Sequence, residues 1–144
     1  IMAKSGRYSA DRKKVESLTA SKSLEVHDCG SLMMFNAAAG LTVTLPPVSK
    51  AGAGWWVRFI VATNCSSNTL VITEDTSVDS NVLIGGINEL EVDTSDDGPS
   101  STGCTTITFA NTLDTVGDFV EIACDGTNYY FFGQTKLDGA ITLA

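Results

Sequence analysis

The sequence predicts an all-β fold: an antiparallel β-sandwich or β-barrel-like domain with an extended N-terminal arm. Three observations carry this. Short apolar runs alternate with a period of two. Turn residues separate them at roughly 8–12-residue spacing. No segment beyond the arm sustains a 3.6-residue period.

Leu41-Thr42-Val43-Thr44-Leu45 alternates strictly, and Pro46-Pro47 stops it, because proline cannot donate to a ladder. Trp55 to Val61 is aromatic and β-branched. Trp55, Val57, Phe59 and Val61 take one side; Trp56, Arg58 and Ile60 take the other. Leu24 to Cys29 also alternates, so His27 is expected on a strand face with Glu25 and Cys29. Further strands are expected at Thr69 to Thr73, Asn81 to Ile84, Ile87 to Val92, Thr105 to Phe109, Asp118 to Cys124 and Asn128 to Phe132. Gly85-Gly86 reads as a break between two of them. Asp125-Gly126 reads as a hairpin turn.

Several strands are apolar on both sides. Tyr129-Tyr130-Phe131-Phe132 is aromatic whichever way it faces. One side fills a core. The other needs a second sheet or another subunit.

The 144 residues suit one domain, and no apolar run is long enough for a membrane span. No basic-then-apolar opening suggests a signal peptide. The net charge of −8 is unevenly placed. Residues 1–22 carry Lys4, Arg7, Arg12, Lys13, Lys14 and Lys22 against Asp11 and Glu16, a net of +4. The remainder carries three basic and fifteen acidic residues, a net of −12. An acidic body argues against nucleic acid as partner. The chain therefore divides into a basic arm, residues 1–23, and a β domain, residues 24–144.

Chemistry finds little support. His27 is the sole histidine, so acid–base schemes built on histidine must use it. Nucleophile-elbow, phosphate-loop and dinucleotide signatures are absent. Cys29, Cys65, Cys104 and Cys124 lack zinc-site spacing, and free thiols are expected. Asp75-Thr76-Ser77 and Asp93-Thr94-Ser95 each match half of an aspartic-protease signature, but no glycine follows either. Glu89, Glu91 and Asp93 alternate onto one face and read as solvated acids. Trp55, Trp56, Tyr129 and Tyr130 are candidates for stacking on sugars, with core packing the commoner use. Neither an enzyme nor a metal or cofactor site is expected.

Asn36-Ala37-Ala38-Ala39-Gly40 leading into Leu41 to Pro47, then Gly54-Trp55 and Val57 to Val61, Leu70-Val71-Ile72, Gly117 to Glu121 and Asp125 to Tyr130 form an ordered series. This series resembles β domains of tailed-phage virion proteins, both capsid decoration (cement) proteins and trimeric fibres. Gly85 to Pro99 and the ending Gly133 to Thr142 are similar to the decoration type. The likeness spans roughly residues 24–142. The four cysteines and Tyr129-Tyr130, where a Trp-Tyr pair is commoner, depart from it.

The resemblance implies a non-enzymatic homotrimer on the outer surface of a phage capsid, made in the host cytoplasm. It would bridge neighbouring major capsid subunits and stabilise the head against packaged DNA. Lys4, Arg7, Arg12, Lys13 and Lys14 would contact the major capsid protein. Trp56, Arg58, Ile60, Glu89 and Glu91 are the candidates for the trimer interface. No nucleic acid, membrane or cofactor is implied. The alternative is a tail-fibre or receptor-binding module that recognises carbohydrate.

Overall fold

A computed structural model describes residues 12–92 and 98–144. Two mixed β-sheets enclose one core, consistent with an all-β sandwich. The strands are β1 (Val15–Leu18), β2 (Lys22–Ser23), β3 (Ser31–Phe35), β4 (Leu41–Thr44), β5 (Trp56–Val61), β6 (Leu70–Thr73), β7 (Leu83–Glu89), β8 (Ser100–Cys104), β9 (Thr106–Phe109), β10 (Phe119–Cys124), β11 (Tyr129–Thr135) and β12 (Ile141–Leu143). The first sheet has seven strands in the order β1-β3-β5-β10-β11-β7-β8. The second has five, in the order β12-β9-β6-β4-β2.

The sheets are not purely antiparallel, as the sequence led us to expect. β1, β3 and β5 run parallel, as do β2, β4 and β6, and β11 pairs β7 in parallel. The reason is the path of the chain. From β1 to β6 each strand lies in the sheet opposite its predecessor. Neighbours within a sheet are therefore two reversals apart and point the same way. A strand of the facing sheet supplies the crossover that a helix supplies in α/β folds. One helical turn, α1 (Val48–Ala51), follows Pro46-Pro47.

Other boundaries moved for local reasons. The alternating stretch from Leu24 to Cys29 is not a strand. A 3-10 turn spans Val26–Asp28, and Asp28 Oδ2 accepts the Glu25 N–H at 2.9 Å. Gly85-Gly86 is not a break but the middle of β7. A Cβ on Gly85 would lie 1.8 Å from the Phe131 carbonyl oxygen, and its φ of +155° suits glycine. The hairpin at Asp125-Gly126 is present. Asp125 Oδ1 accepts the N–H groups of Thr127 and Asn128 at 2.8 and 2.7 Å. Residues 15–18 and 22–23, which the sequence put in the arm, are strands of the two sheets.

The core lies between the sheets. Phe35 stacks on Phe59 at 5.4 Å and meets Phe109 of the facing sheet edge-on at 5.7 Å. Trp55 meets Tyr129 edge-on at 5.9 Å, and the Tyr129 hydroxyl donates to the Pro46 carbonyl at 2.6 Å. Burying a side chain of this size is worth about 1.5–3 kcal/mol.

Buried carboxylates fasten the connections between the sheets. At one end Asp118 accepts the N–H groups of Thr115 and Lys136, and Asp114 accepts that of Cys65. Three connections, residues 62–69, 110–118 and 136–140, are thereby tied together. At the other end Glu74 accepts the N–H groups of Asn81 and Val82 at 2.9 and 2.8 Å.

Candidate functional site

The register decides which side chains share the outer face of the seven-stranded sheet. Partners across a ladder point the same way. One row runs Leu32, Arg58, Glu121, Phe132, Gly86. A second runs Met34, Ile60, Phe119, Gln134, Asn88. A third runs Trp56, Ala123, Tyr130, Ile84. This face is apolar and aromatic yet points away from the core. Phe132 is 56% exposed and Tyr130 46%. The sequence parity of β5 holds, with Trp56, Arg58 and Ile60 together on this side.

At the centre of the face, Arg58 donates from Nε and Nη2 to Glu121 Oε2, at 2.9 and 2.6 Å. The guanidinium also lies over the Phe119 ring at 5.1 Å, and Phe119 meets Phe132 edge-on at 6.4 Å. Two π contacts and a forked ion pair hold these four side chains in one arrangement.

The arm joins this face at its edge. Lys13 Nζ sits 4.6 Å from the centre of the Trp56 ring. Lys14 is exposed but lies 3.6 Å from Glu16 and 3.6 Å from Asp28. Arg12 is exposed. Lys4 and Arg7 lie outside the described residues. Of the basic residues expected to meet a capsid, Lys13 and Lys14 therefore already have partners within the chain.

Asp28 is fully buried. Its Oδ1 accepts no hydrogen bond among the described residues but faces Lys22 at 3.5 Å as well as Lys14. Burial alone would push its carboxyl up. The Glu25 N–H, Lys22, His27 and Lys14 outweigh this and hold it below the usual aspartate range. Lys22 also binds Glu16, and this pairing raises the Lys22 ammonium although burial opposes it. The knot pins β1 to the edge of its sheet.

Glu89 and Glu91 do not join Trp56, Arg58 and Ile60. Glu91 accepts the Asp138 N–H at 2.9 Å and Glu89 the Gly139 N–H at 3.3 Å. They hold the turn before β12. Glu89 aligns with buried Thr135, on the core side of the sheet.

Among the described residues, groups with catalytic potential are dispersed. His27 is exposed, with Nδ1 3.4 Å from Glu25. It borders a groove of about 600 Å³ whose floor is Leu24, Leu45 and Pro46. The four cysteines are unpaired; Cys65, Cys104 and Cys124 are buried and Cys29 is exposed. Asp75 closes a turn by accepting from Ser77, and this bond holds its carboxyl below the ordinary range. Asp93 to Ser95 lies outside the described residues. Among the described residues no three His, Cys, Asp or Glu side chains gather as a metal site. Trp55 and Tyr129 are buried, which removes two of the four candidates for sugar stacking.

The sequence reading missed Leu32, Met34, Phe119 and Phe132 as members of the outer face. The alternation of β10 and β11 contains the signal for the last two. Leu32 and Met34 needed β3, which no clear polar alternation marks. Comparison with family models, curated proteins and solved structures gives no match.

Proposed function

We propose that this chain is a structural virion protein, a decoration (cement) protein that binds the outer surface of a tailed-phage capsid as a homotrimer. The observation that carries the reading is a basic N-terminal segment anchored as an edge strand on an acidic double-sheet body. Residues 12–14 lead directly into β1, which the Lys14, Lys22, Glu16 and Asp28 knot fixes to the body. A rigid body with a fastened arm suits a clamp.

The physical task is to bind a lattice only where neighbouring subunits have assembled. A ligand that binds the assembled state alone stabilises it by mass action. Several arms on one particle raise the effective concentration at adjacent sites. Individual exposed ion pairs contribute about 0–1 kcal/mol, so the sum over arms matters. Among the described residues, Arg12 is exposed and Lys13 is held only by its contact with Trp56, so both can contribute. Among the described residues His27, the cysteines and the carboxylates lie apart, which favours a binding role in this reading.

The test is co-sedimentation with expanded capsids of the phage that encodes the chain. The truncation stops at residue 11, because a longer one cuts toward Lys14, which pairs with Glu16 and Asp28, and then into β1 at Val15. The full chain should bind and the truncated chain should bind at least about tenfold more weakly while melting at the same temperature. Equal binding by the two would refute the role of the arm. No binding by the full chain would refute the decoration reading.

A further inference from the structure

We propose that Lys22 and Asp28 become joined by an intramolecular amide bond, formed with loss of water and with Glu16 as the proton relay. The contacts of three side chains carry this, independently of the capsid reading. The ion pair described above is the form before reaction, and the amide accumulates as the folded chain ages.

Asp28 is fully buried, and its two oxygens differ. Oδ2 accepts the Glu25 N–H at 2.9 Å, whereas Oδ1 accepts no hydrogen bond among the described residues. A buried carboxylate oxygen left in this way is costly. Three ionisable nitrogens face it. Lys22 Nζ lies at 3.5 Å, Lys14 Nζ at 3.6 Å and His27 Nε2 at 4.0 Å. Lys22 is the nearest of them and the more enclosed of the two lysines. It keeps 30% of its side chain accessible, against 55% for Lys14.

Glu16 supplies the second requirement, a base at the amine. Its Oε1 accepts from Lys22 Nζ at 2.5 Å. A carboxylate in contact with an ammonium is placed to remove its proton. Each group sits on its own element: Glu16 in β1, Lys22 in β2 and Asp28 in the 3-10 turn. The fold therefore holds amine, carboxyl and base together before any reaction. Such placement is equivalent to an effective molarity of about 10⁵–10⁸ M, enough to favour a condensation that free amines and acids in water do not undergo. Burial acts in the same direction, because it disfavours a carboxylate more than a neutral amide.

The atoms balance without a co-reactant. Glu16 takes one proton from the Lys22 ammonium. The lone pair so freed attacks Asp28 Cγ, and a Cγ–N bond forms. Negative charge developing on Oδ2 meets the Glu25 N–H already bonded to that oxygen. Glu16 returns its proton to Oδ1, and a second proton from the nitrogen follows. The Cγ–Oδ1 bond then breaks, and the oxygen leaves as water. Of the three ammonium protons, one stays on the amide and two depart in the water. Glu16 ends as the carboxylate it was. The charges of Lys22 and Asp28 vanish together, so the net charge of the chain is unchanged. Each partner favours the ionised form of the other, so the neutral amine is a minor form and the step is slow. The product ring clasps β2 to the turn around Leu24, a core residue.

The experiment is intact mass spectrometry of the full folded chain, kept at neutral pH and sampled over days, with a tryptic map of each sample. The wild-type chain should become lighter by one water. Trypsin should no longer cut after Lys22, so residues 15–50 should remain one peptide, with fragmentation placing the bond between Lys22 and Asp28. Lys22→Arg and Glu16→Gln should keep the masses of their sequences. Asp28→Asn should lose one ammonia in place of one water. Thermal melting checks that the variants fold, and the wild-type mass and map decide the matter if one does not. A wild-type chain that keeps its sequence mass throughout would overturn the proposal. So would a loss of water that persists in Lys22→Arg, or one that maps to Lys14 or to cyclisation at Asp125-Gly126. Reaction of Glu16→Gln at the wild-type rate would overturn the role of Glu16. No capsid enters the measurement, so its outcome is separate from that of the capsid reading.

Discussion

The two outer faces of the sandwich are built by the same alternation and carry opposite chemistry. On the seven-stranded sheet the outward residues include Trp56, Ile60, Phe119, Tyr130 and Phe132. On the five-stranded sheet they are Thr42, Thr44, Val71, Thr73, Thr106, Thr108 and Thr142. Threonine is β-branched and suits a pleated strand, and its hydroxyl satisfies water. That face needs nothing to cover it. The other face is apolar beyond any need of the strands themselves. The difference teaches that the aromatics of β10 and β11 are not merely strand formers. Strand propensity alone is met by threonine on the opposite side of the same molecule.

The largest expected effect separates the two sides of one strand. Phe131 and Phe132 are neighbours in β11, but Phe131 is core and Phe132 is on the outer face. Phe131→Ala should cost about 3–5 kcal/mol of unfolding free energy in urea titration. Phe132→Ala should change the stability of the isolated chain by less than about 0.5 kcal/mol while weakening self-association. A large loss of monomer stability in Phe132→Ala would mean that the outer face is really a second core.

A smaller effect is expected at the ion pair. Arg58→Ala leaves Glu121 partly buried without its partner. It should cost roughly 1 kcal/mol or less in monomer stability, because both groups keep access to water. The cost to association should be greater than the cost to folding, measured by sedimentation and melting of the same variant. An effect on folding alone would make the pair a device of the monomer.

The smallest effect is in pH, and it leaves both faces aside because the buried acids lie at the ends. Burial raises Asp114 and Asp118. The Cys65 N–H opposes this for Asp114, and those of Thr115 and Lys136 oppose it for Asp118. A carboxyl raised by folding holds its proton more tightly in the native state. Stability should therefore rise as pH falls from neutral toward the ordinary aspartate range. Asp28 is shifted the other way, so its contribution is present above that range and lost as pH falls through its lowered value. Asp114→Asn should flatten the upper limb of a plot of melting temperature against pH. Asp28→Asn should flatten the lower limb. Unchanged limbs would contradict these roles.

The β character and the parity of β4, β5 and β6 were legible, because period-two alternation is a local signal. The hairpin at Asp125-Gly126 was legible for the same reason. The parallel pairings were not. Which sheet a strand joins depends on the whole path, and no local pattern reports it. The stretch around His27 alternated as a strand does, but Asp28 captures the Glu25 amide and turns the chain. Gly85-Gly86 read as a break because the reason for glycine there is Phe131, a distant neighbour across a ladder. On the candidate face, Trp56, Arg58 and Ile60 were legible from β5 alone. The partner of Arg58 was not, since Glu121 lies 63 positions away. Glu89 and Glu91 were assigned to that face by type, whereas their amide acceptor roles at Asp138 and Gly139 depend on a turn that sequence does not reveal.

The measurement that tests the contrast between the two faces most directly is hydroxyl-radical footprinting of the full chain over a concentration series. Met34, Trp56, Tyr130 and Phe132 should lose reactivity as concentration rises, while exposed Val78 and Leu90 should react equally throughout. Reactivity of Trp56, Tyr130 and Phe132 that stays constant at every concentration would contradict that contrast.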